Sequence, residues 1–408
     1  MEQGLSLNKS IAVIGAGPAG ALCSILLSRF TDFKVVIFDD KPILHSILPT
    51  GGGRCNLSYY ENDIKELVKF YPRGEKFLFS IFSRFNVLDT INLFEELGIK
   101  TYVQDDLRIF PKSDNSKKVA DILINHIEKS SIVFQKEKVS SVKKENDSFI
   151  IATEASDYKF DYVILATGGK GNGVDIAKAL GHKIEPLRPS LTPLRITEKE
   201  FYSLSGLTLK DIWADVYFGD SKLFTTYGDL LFAHKSITGP LVFKISSLAA
   251  YTDFNAAEPL ILKMNISNLT EEELVQFIEN NIKLHHHKTI INTFSQLVNK
   301  NLLNIILKNN NIDSEKQIVH MNKREKSVLI KEIISFELKV IERIKGGEIV
   351  TAGGVSLAEI NPKTMESKIS KGLYLIGEVI NIDGFTGGFN LQNCWSCAYV
   401  CAKGLSLS

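Results

Sequence analysis

Short, unbroken apolar runs alternate with glycine turns near both ends of this chain. Ser10-Ile-Ala-Val-Ile-Gly15 is apolar and β-branched, the pattern of a strand covered on both faces in a parallel sheet. Residues 19–30 continue with small and apolar side chains in helical order, and Lys34-Val-Val-Ile-Phe-Asp39 reads as the next buried strand. Asp161-Tyr-Val-Ile-Leu-Ala166 and Gly372-Leu-Tyr-Leu-Ile-Gly377 repeat the strand pattern, and a helix is predicted from the glycines at 387 and 388 to about Ala402. Between about Leu191 and Gly347 the character changes. Strand-like stretches such as Ala214-Asp-Val-Tyr-Phe218 are separated by turn signals. Thr270-Glu-Glu-Glu273 forms a capping box, with Leu274, Phe277, Ile278 and Ile282 following at helical spacing, and the chain reads as mostly helical to Asn311.

The 408 residues carry 48 Lys+Arg against 47 Asp+Glu, a net charge of +1. That balance lacks the electrostatic footprint of a dedicated nucleic-acid binder, so no nucleic-acid partner is expected. With 44% hydrophobic and 23% charged residues the composition is globular, and the length suits about two or three domains. Five cysteines (Cys23, Cys55, Cys394, Cys397, Cys401) are too few and too unevenly spread for a disulfide framework, which points to a reducing, cytoplasmic setting. No apolar run approaches the ~18 residues a membrane span requires.

Chemistry enters at the turns. The first strand leads into Gly15-Ala-Gly17-Pro18-Ala19-Gly20 and then a helix. Gly15 permits the tight turn, Gly17 lets the backbone approach a pyrophosphate, Gly20 allows close helix packing, and the helix that starts at Pro18 offers its free N–H groups, from Ala19 onward, to an anion. Asp39 ends the second strand where a carboxylate would accept ribose hydroxyls, with Asp40 beside it. Strand, turn, helix, strand and acid together predict dinucleotide binding, and leave NAD and FAD both open. Later segments favour FAD. Ala166-Thr167-Gly168 is a glycine turn that would return the chain beside a cofactor. Gly377-Glu378 closes a strand just before a helix, placing a carboxylate for a ribityl hydroxyl. Gly388-Phe389-Asn390-Leu391 opens that helix, whose N-terminus can face the pyrimidine edge of a flavin. Because these parts come from both ends, the dinucleotide domain is discontinuous. A third run, Gly51-Gly52-Gly53-Arg54, makes a backbone that can press on a flat or phosphorylated ligand, with Arg54 available to an anion or a reduced-flavin charge.

With IAVIGAGPAGA, GGGRCNLS, RIFPKSD from Arg108, DYVILATGG, GDLLFAHKSITGPL from Gly228, VTAGGVSLAEINPKTMESK from Val350 and GLYLIGEVINIDGFTGGFNLQ in order, the chain resembles bacterial FAD-dependent flavoproteins that include aminoacetone oxidases and a flavoprotein of bile-acid dehydroxylation. The resemblance implies an α/β fold in which a discontinuous Rossmann-like FAD-binding domain is interrupted by an insert with a small β-barrel and a helical piece. The expected boundaries are residues 1–190 and 347–408 for the FAD domain and 191–346 for the insert, with helices over about 268–320. It also implies Asp39 on the adenosine ribose, the backbone of Val139 on the adenine, Gly51 to Arg54 near pyrophosphate and isoalloxazine, Glu378 on the ribityl chain, and Gly388 to Leu391 at the flavin ring. Two departures stand out. Leu44-His45-Ser46 replaces the usual Gly-Arg-Lys, and Lys170-Gly-Asn-Gly173 replaces a longer loop after ATGG.

Other clusters read as bland. His285, His286 and His287 are consecutive, so on a helix they would diverge rather than converge on one ion, and no metal is expected. Cys394, Cys397 and Cys401 share one helix face and read as buried small residues. No serine–histidine or HExxH arrangement supports hydrolysis. The expected function is a flavin-dependent oxidoreductase acting on a small-molecule substrate. Either NADH or NADPH serves as a transient reductant, or oxygen accepts electrons from a small amine as in aminoacetone oxidases. A non-catalytic or RNA-modifying FAD protein stays open as a different class. No catalytic acid or base is assigned; Arg54, Arg108 and Lys235 are candidates for substrate contact.

Overall fold

A computed structural model describes residues 9–344 and 346–407. The chain divides into two compact units, one running to Arg188 and resuming at Val350, the other Pro189–Ile349.

The first unit is built on a five-stranded parallel sheet in the order Leu373–Leu375, Tyr162–Leu165, Ser10–Ile14, Lys34–Phe38, Val133–Gln135. Both faces of such a sheet are covered, which is why Ile11, Val13, Ile37 and Ile164 have no solvent exposure and why the runs are unbroken rather than alternating. Helices Pro18–Phe30 and Phe389–Leu405 pack on each other, with Gly377 lying against Ala19 and Cys394. Small residues let the backbones approach, and Trp395, fully buried, anchors the second helix by donating its indole N–H to the Leu57 carbonyl at 2.9 Å. Two small antiparallel sheets flank the core: Ser58–Tyr59, Arg108–Pro111, Thr101–Val103; and Val139–Glu145, Ser148–Thr153, Asp157–Phe160.

The second unit is a closed six-stranded barrel in the order Leu194–Ile196, Ser236–Thr238, Ser221–Ala233, Thr208–Phe218, Leu260–Met264, Phe336–Arg343. Along Thr208–Phe218, Ile212, Ala214 and Val216 face the buried interior while Trp213 is 60% exposed, the alternation that closure of a small barrel demands. Helices Glu271–Leu284, Ile290–Phe294, Lys300–Asn309 and Lys323–Ile334 form the helical piece. The Thr270–Glu273 capping box is made in both directions. The helical part extends past 320, because Asn322 and Glu325 form a second reciprocal box that starts the helix Lys323–Ile334. His285, His286 and His287 stand exposed in the turn after the helix that ends at Leu284, not on it. Among the described residues, no helix is long and apolar enough to cross a membrane.

Candidate functional site

The glycine turn sits at the carboxyl ends of the central strands. Gly15 has φ +107° and its α-carbon lies so close to the Ala166 carbonyl that a side chain would overlap it. The chain's first turn and the Ala166–Gly168 turn therefore touch, as expected where two parallel strands end side by side. Helix Pro18–Phe30 begins at Gly17 with no side-chain cap, leaving its first N–H groups for a ligand. Asp39 is tied into this turn: its Oδ2 accepts the Ala16 N–H at 2.7 Å and its Oδ1 accepts the Lys41 N–H at 2.9 Å. Asp40 is exposed. Val139 is buried, and its carbonyl accepts the Asn172 side-chain amide at 2.7 Å.

The C-terminal segment brings the second half. After the strand Leu373–Leu375 the chain turns at Gly377 and Glu378. Burial, followed by the charge of Asp383, pushes the Glu378 carboxyl up to about 7; the Lys170 charge and the Gly169 N–H oppose this. The loop beyond is pinned at several points. Asp383, wholly buried, is gripped by Arg73 through both carboxylate oxygens. Asn390 accepts the Gly384 N–H at 2.8 Å and donates to the Gly384 carbonyl at 2.9 Å. Tyr71 donates its hydroxyl to the Phe389 carbonyl at 2.7 Å, and the Phe389 ring stacks on Phe70 at 4.4 Å. The ring of Phe389 is thus committed to packing, and only its backbone can serve a ligand. Gly388, φ +98°, lies against the Ser58 backbone and starts helix Phe389–Leu405 without a side-chain cap. Inside that helix Gln392, buried, accepts from Ser58 Oγ at 2.6 Å and donates to Thr90 at 2.9 Å and Ser396 at 2.8 Å.

The third glycine run bridges the two halves. Upstream of it the Leu44 N–H donates to the Ala16 carbonyl at 2.8 Å, and Ser46 approaches Gly17; downstream, Ser58 meets Gly388. Gly52 and Gly53 have open space beside them. Arg54 pairs with Asp114 at 2.8 Å, donates to the Tyr102 hydroxyl at 2.6 Å, and lies over the Phe110 ring at 4.0 Å. Cys55 is buried with φ +65°, and burial pushes its thiol up to about 12, so it is not a thiolate at neutral pH.

Gly15 to Gly20, Asp39, Gly51 to Arg54, Ala166 to Gly168, Gly377, Glu378 and Gly388 to Leu391 all belong to the first unit. Arg108 does too, paired with Asp106 at 2.6 Å, whereas Lys235 lies in the second unit. Local sequence pattern missed Arg73 and the Tyr102–Phe110–Asp114 nest around Arg54. For the nest a signal existed, since Phe110 and Asp114 lie in the RIFPKSD stretch. The fit to FAD rests on three features. Two uncapped helix N-termini flank the glycine runs. Open space borders Gly52, Gly53 and Gly168. Buried Oδ1 atoms of Asn56 and Asn381, unpartnered among the described residues, would be satisfied by ribityl hydroxyls or a flavin imide N–H.

Fold and cradle together define an FAD-binding flavoprotein of the Rossmann type, with the chemistry of an oxidoreductase. The chain belongs to the family of the HI0933-like protein Rossmann domain, which it matches over residues 9–404. It is 30% identical to the ribosomal RNA dihydrouridine synthase of Haemophilus influenzae, over 97% of this chain and 98% of that one. It is 28% identical to the protein of the same name from Escherichia coli, over 96% and 97%. The 3-dehydro-bile acid delta(4,6)-reductase of Clostridium scindens is 27% identical, over 96% and 98%.

Proposed function

We propose that this protein uses FAD to add two hydrogens across a carbon–carbon double bond conjugated to a carbonyl, with a uridine of ribosomal RNA as substrate and NADH or NADPH as electron source. The observation that carries this reading is the agreement among three relatives matched end to end. Making dihydrouridine from uridine and removing a delta(4,6) unsaturation are the same step, saturation of an activated double bond. In balance, uridine, NAD(P)H and one proton give dihydrouridine and NAD(P)⁺. This favours the reductase over the oxygen-using amine oxidase.

Bound FAD supplies the hydride relay between nicotinamide and substrate. The protein's part is positioning. Gly15, Gly17 and Gly20, with Pro18 and Ala19 opening the helix, seat the pyrophosphate. Asp39 takes the ribose with Asp40 at the rim, and the Val139 backbone takes the adenine. Gly51, Gly52 and Gly53 would lie along the cofactor, with Ala166, Thr167 and Gly168 beside it. Glu378, protonated in part at neutral pH, can donate to a ribityl hydroxyl as well as accept from one. The backbone at Gly388, Phe389, Asn390 and Leu391 would face the pyrimidine edge. A net charge of +1 is a sum over the whole chain and leaves room for local RNA contacts. A small enone as substrate is the second reading, favoured by the bile-acid relative and by that same balance.

The test starts with the visible spectrum of the FAD-loaded protein under anaerobic NADH, then NADPH. Bleaching is expected. Unmodified ribosomal RNA transcribed in vitro is then added and its nucleosides are analysed by mass. Dihydrouridine supports the reading, and its absence alongside turnover of 2-cyclohexenone moves the assignment to a small enone.

A further inference from the structure

Arg54 is held in an unusual way for a residue that would clamp phosphate. Nε and Nη2 both donate to Asp114 Oδ1, at 3.0 and 2.8 Å, and Nη2 also donates to the Tyr102 hydroxyl at 2.6 Å. Tyr102 in turn donates to Asp114 at 2.9 Å, closing a three-membered ring of contacts. One face of the guanidinium is covered by Phe110 at 4.0 Å. Asp114 raises the Arg54 pKa further, so the cation is permanent. Yet Nε and Nη2 are committed to Asp114 and Tyr102, so the two-pronged fork with which an arginine clamps a phosphate is not open. What stays available is the Nη1 edge, which has no partner among the described residues, and the guanidinium face away from Phe110; the side chain is 34% exposed. The residue sits directly after Gly52 and Gly53, where space is open, on the loop that bridges the glycine turn and the Gly388 helix start.

We infer that Arg54 is a catalytic residue whose Nη1 donates to the carbonyl oxygen of a planar substrate while its open face covers the substrate ring. This deepens the proposed reduction and rests on it. When the β-carbon of the conjugated double bond accepts a hydride from the reduced cofactor, the π pair moves toward the carbonyl and the oxygen becomes an enolate. A proton then adds at the α-carbon and the carbonyl reforms. NAD(P)H supplies the two electrons. Negative charge on oxygen exists only during this step, so a fixed donor at Nη1 binds the charged oxygen more tightly than the neutral carbonyl. Asp114, Tyr102 and Phe110 are positioning residues that hold the fork rigid before substrate arrives.

The experiment uses FAD-loaded wild type, Arg54→Lys and Arg54→Met. Three quantities are read: FAD per chain after dialysis, rate with NAD(P)H and either in-vitro-transcribed ribosomal RNA or 2-cyclohexenone, and the long-wavelength absorbance produced when 4-hydroxybenzaldehyde binds over the oxidised flavin. That phenolate carries the charge that the inference assigns to the enolate oxygen, and absence of the band in wild type would overturn the placement of that oxygen at Arg54. The expected result is unchanged FAD content, a rate lower by about 100-fold in Arg54→Met, partial recovery in Arg54→Lys, and loss of the 4-hydroxybenzaldehyde band in Arg54→Met. Loss of FAD from Arg54→Met would make Arg54 a cofactor holder and overturn the inference. Unchanged rate and band in that variant would overturn it while leaving the reduction intact. If wild type turns over neither RNA nor cyclohexenone, the reduction itself falls and the role of Arg54 falls with it.

Discussion

Arg73 grips Asp383 with two hydrogen bonds, Nε to one carboxylate oxygen and Nη2 to the other, across 310 residues of sequence. The Asp383 side chain is fully buried and that of Arg73 only 13% exposed. A buried pair of this kind gives little net stability over an apolar replacement, but removing one partner strands a charge. Arg73→Met is expected to lower unfolding stability by about 3–5 kcal/mol in urea titration. Adding Asp383→Asn should restore most of the loss. A double variant as unstable as the single one would show that Arg73 acts through its other contacts instead.

Asp39 serves the protein before it serves any ligand, since its Oδ2 accepts the Ala16 N–H at 2.7 Å. Asp39→Ala leaves that N–H unpaired, at a cost of about 1–3 kcal/mol where it is buried, and loosens the turn. FAD should be lost on dialysis from Asp39→Ala and partly kept by Asp39→Asn. Full FAD occupancy in the alanine variant would remove Asp39 from the adenosine site.

Burial, and after it the charge of Asp383, pushes the Glu378 carboxyl up from the ordinary 4.5 to about 7. A raised carboxyl pKa means the folded state binds the proton more tightly than the unfolded state. Stability of the FAD-free protein should therefore fall as pH rises from about 4.5 through about 7, by at most about 3 kcal/mol. Glu378→Gln should flatten that slope. Thermal melts of both proteins between these pH values read it directly, and parallel slopes would assign the dependence elsewhere.

Leu262 has no solvent exposure and belongs to the barrel core, which is separate from the core around the parallel sheet. Leu262→Ala should destabilise the second unit by about 2–5 kcal/mol. The expected readout is an earlier calorimetric transition with FAD occupancy at 25 °C unchanged. Loss of FAD in this variant would mean that the cradle depends on the barrel.

The inner strands of the first unit's sheet were legible because they carry their own signature, unbroken apolar and β-branched runs covered on both faces, three of which lead into glycine turns, whereas the partly exposed edge strand Val133–Gln135 carries no such run. The turn at Glu378 and the helix start at Gly388 were legible as local structure, since a strand, an acid and a helix start occur in fixed order. The Arg73–Asp383 pair was not, because a contact over 310 residues leaves no local period to read. The state of Arg54 was half legible. Its position after three glycines marked it, but its charge balance is set by Asp114, brought alongside by the antiparallel pairing of Ser58–Tyr59 with Arg108–Pro111. The helix Lys323–Ile334 carried a readable capping box, Asn322 with Glu325, beyond the stretch expected to be helical.

Helix Pro18–Phe30 is buried over most of its length, and part of its cover is helix Phe389–Leu405. Translation at about 5–20 residues per second puts roughly 20–70 s between the making of Phe30 and of Phe389. During that interval the nascent glycine turn and the greasy flank of its helix have no native lid. The barrel, contiguous in sequence, can fold in the meantime, so the first unit is the last part of the polypeptide to mature. Chaperone engagement should concentrate on nascent chains that stop short of Phe389.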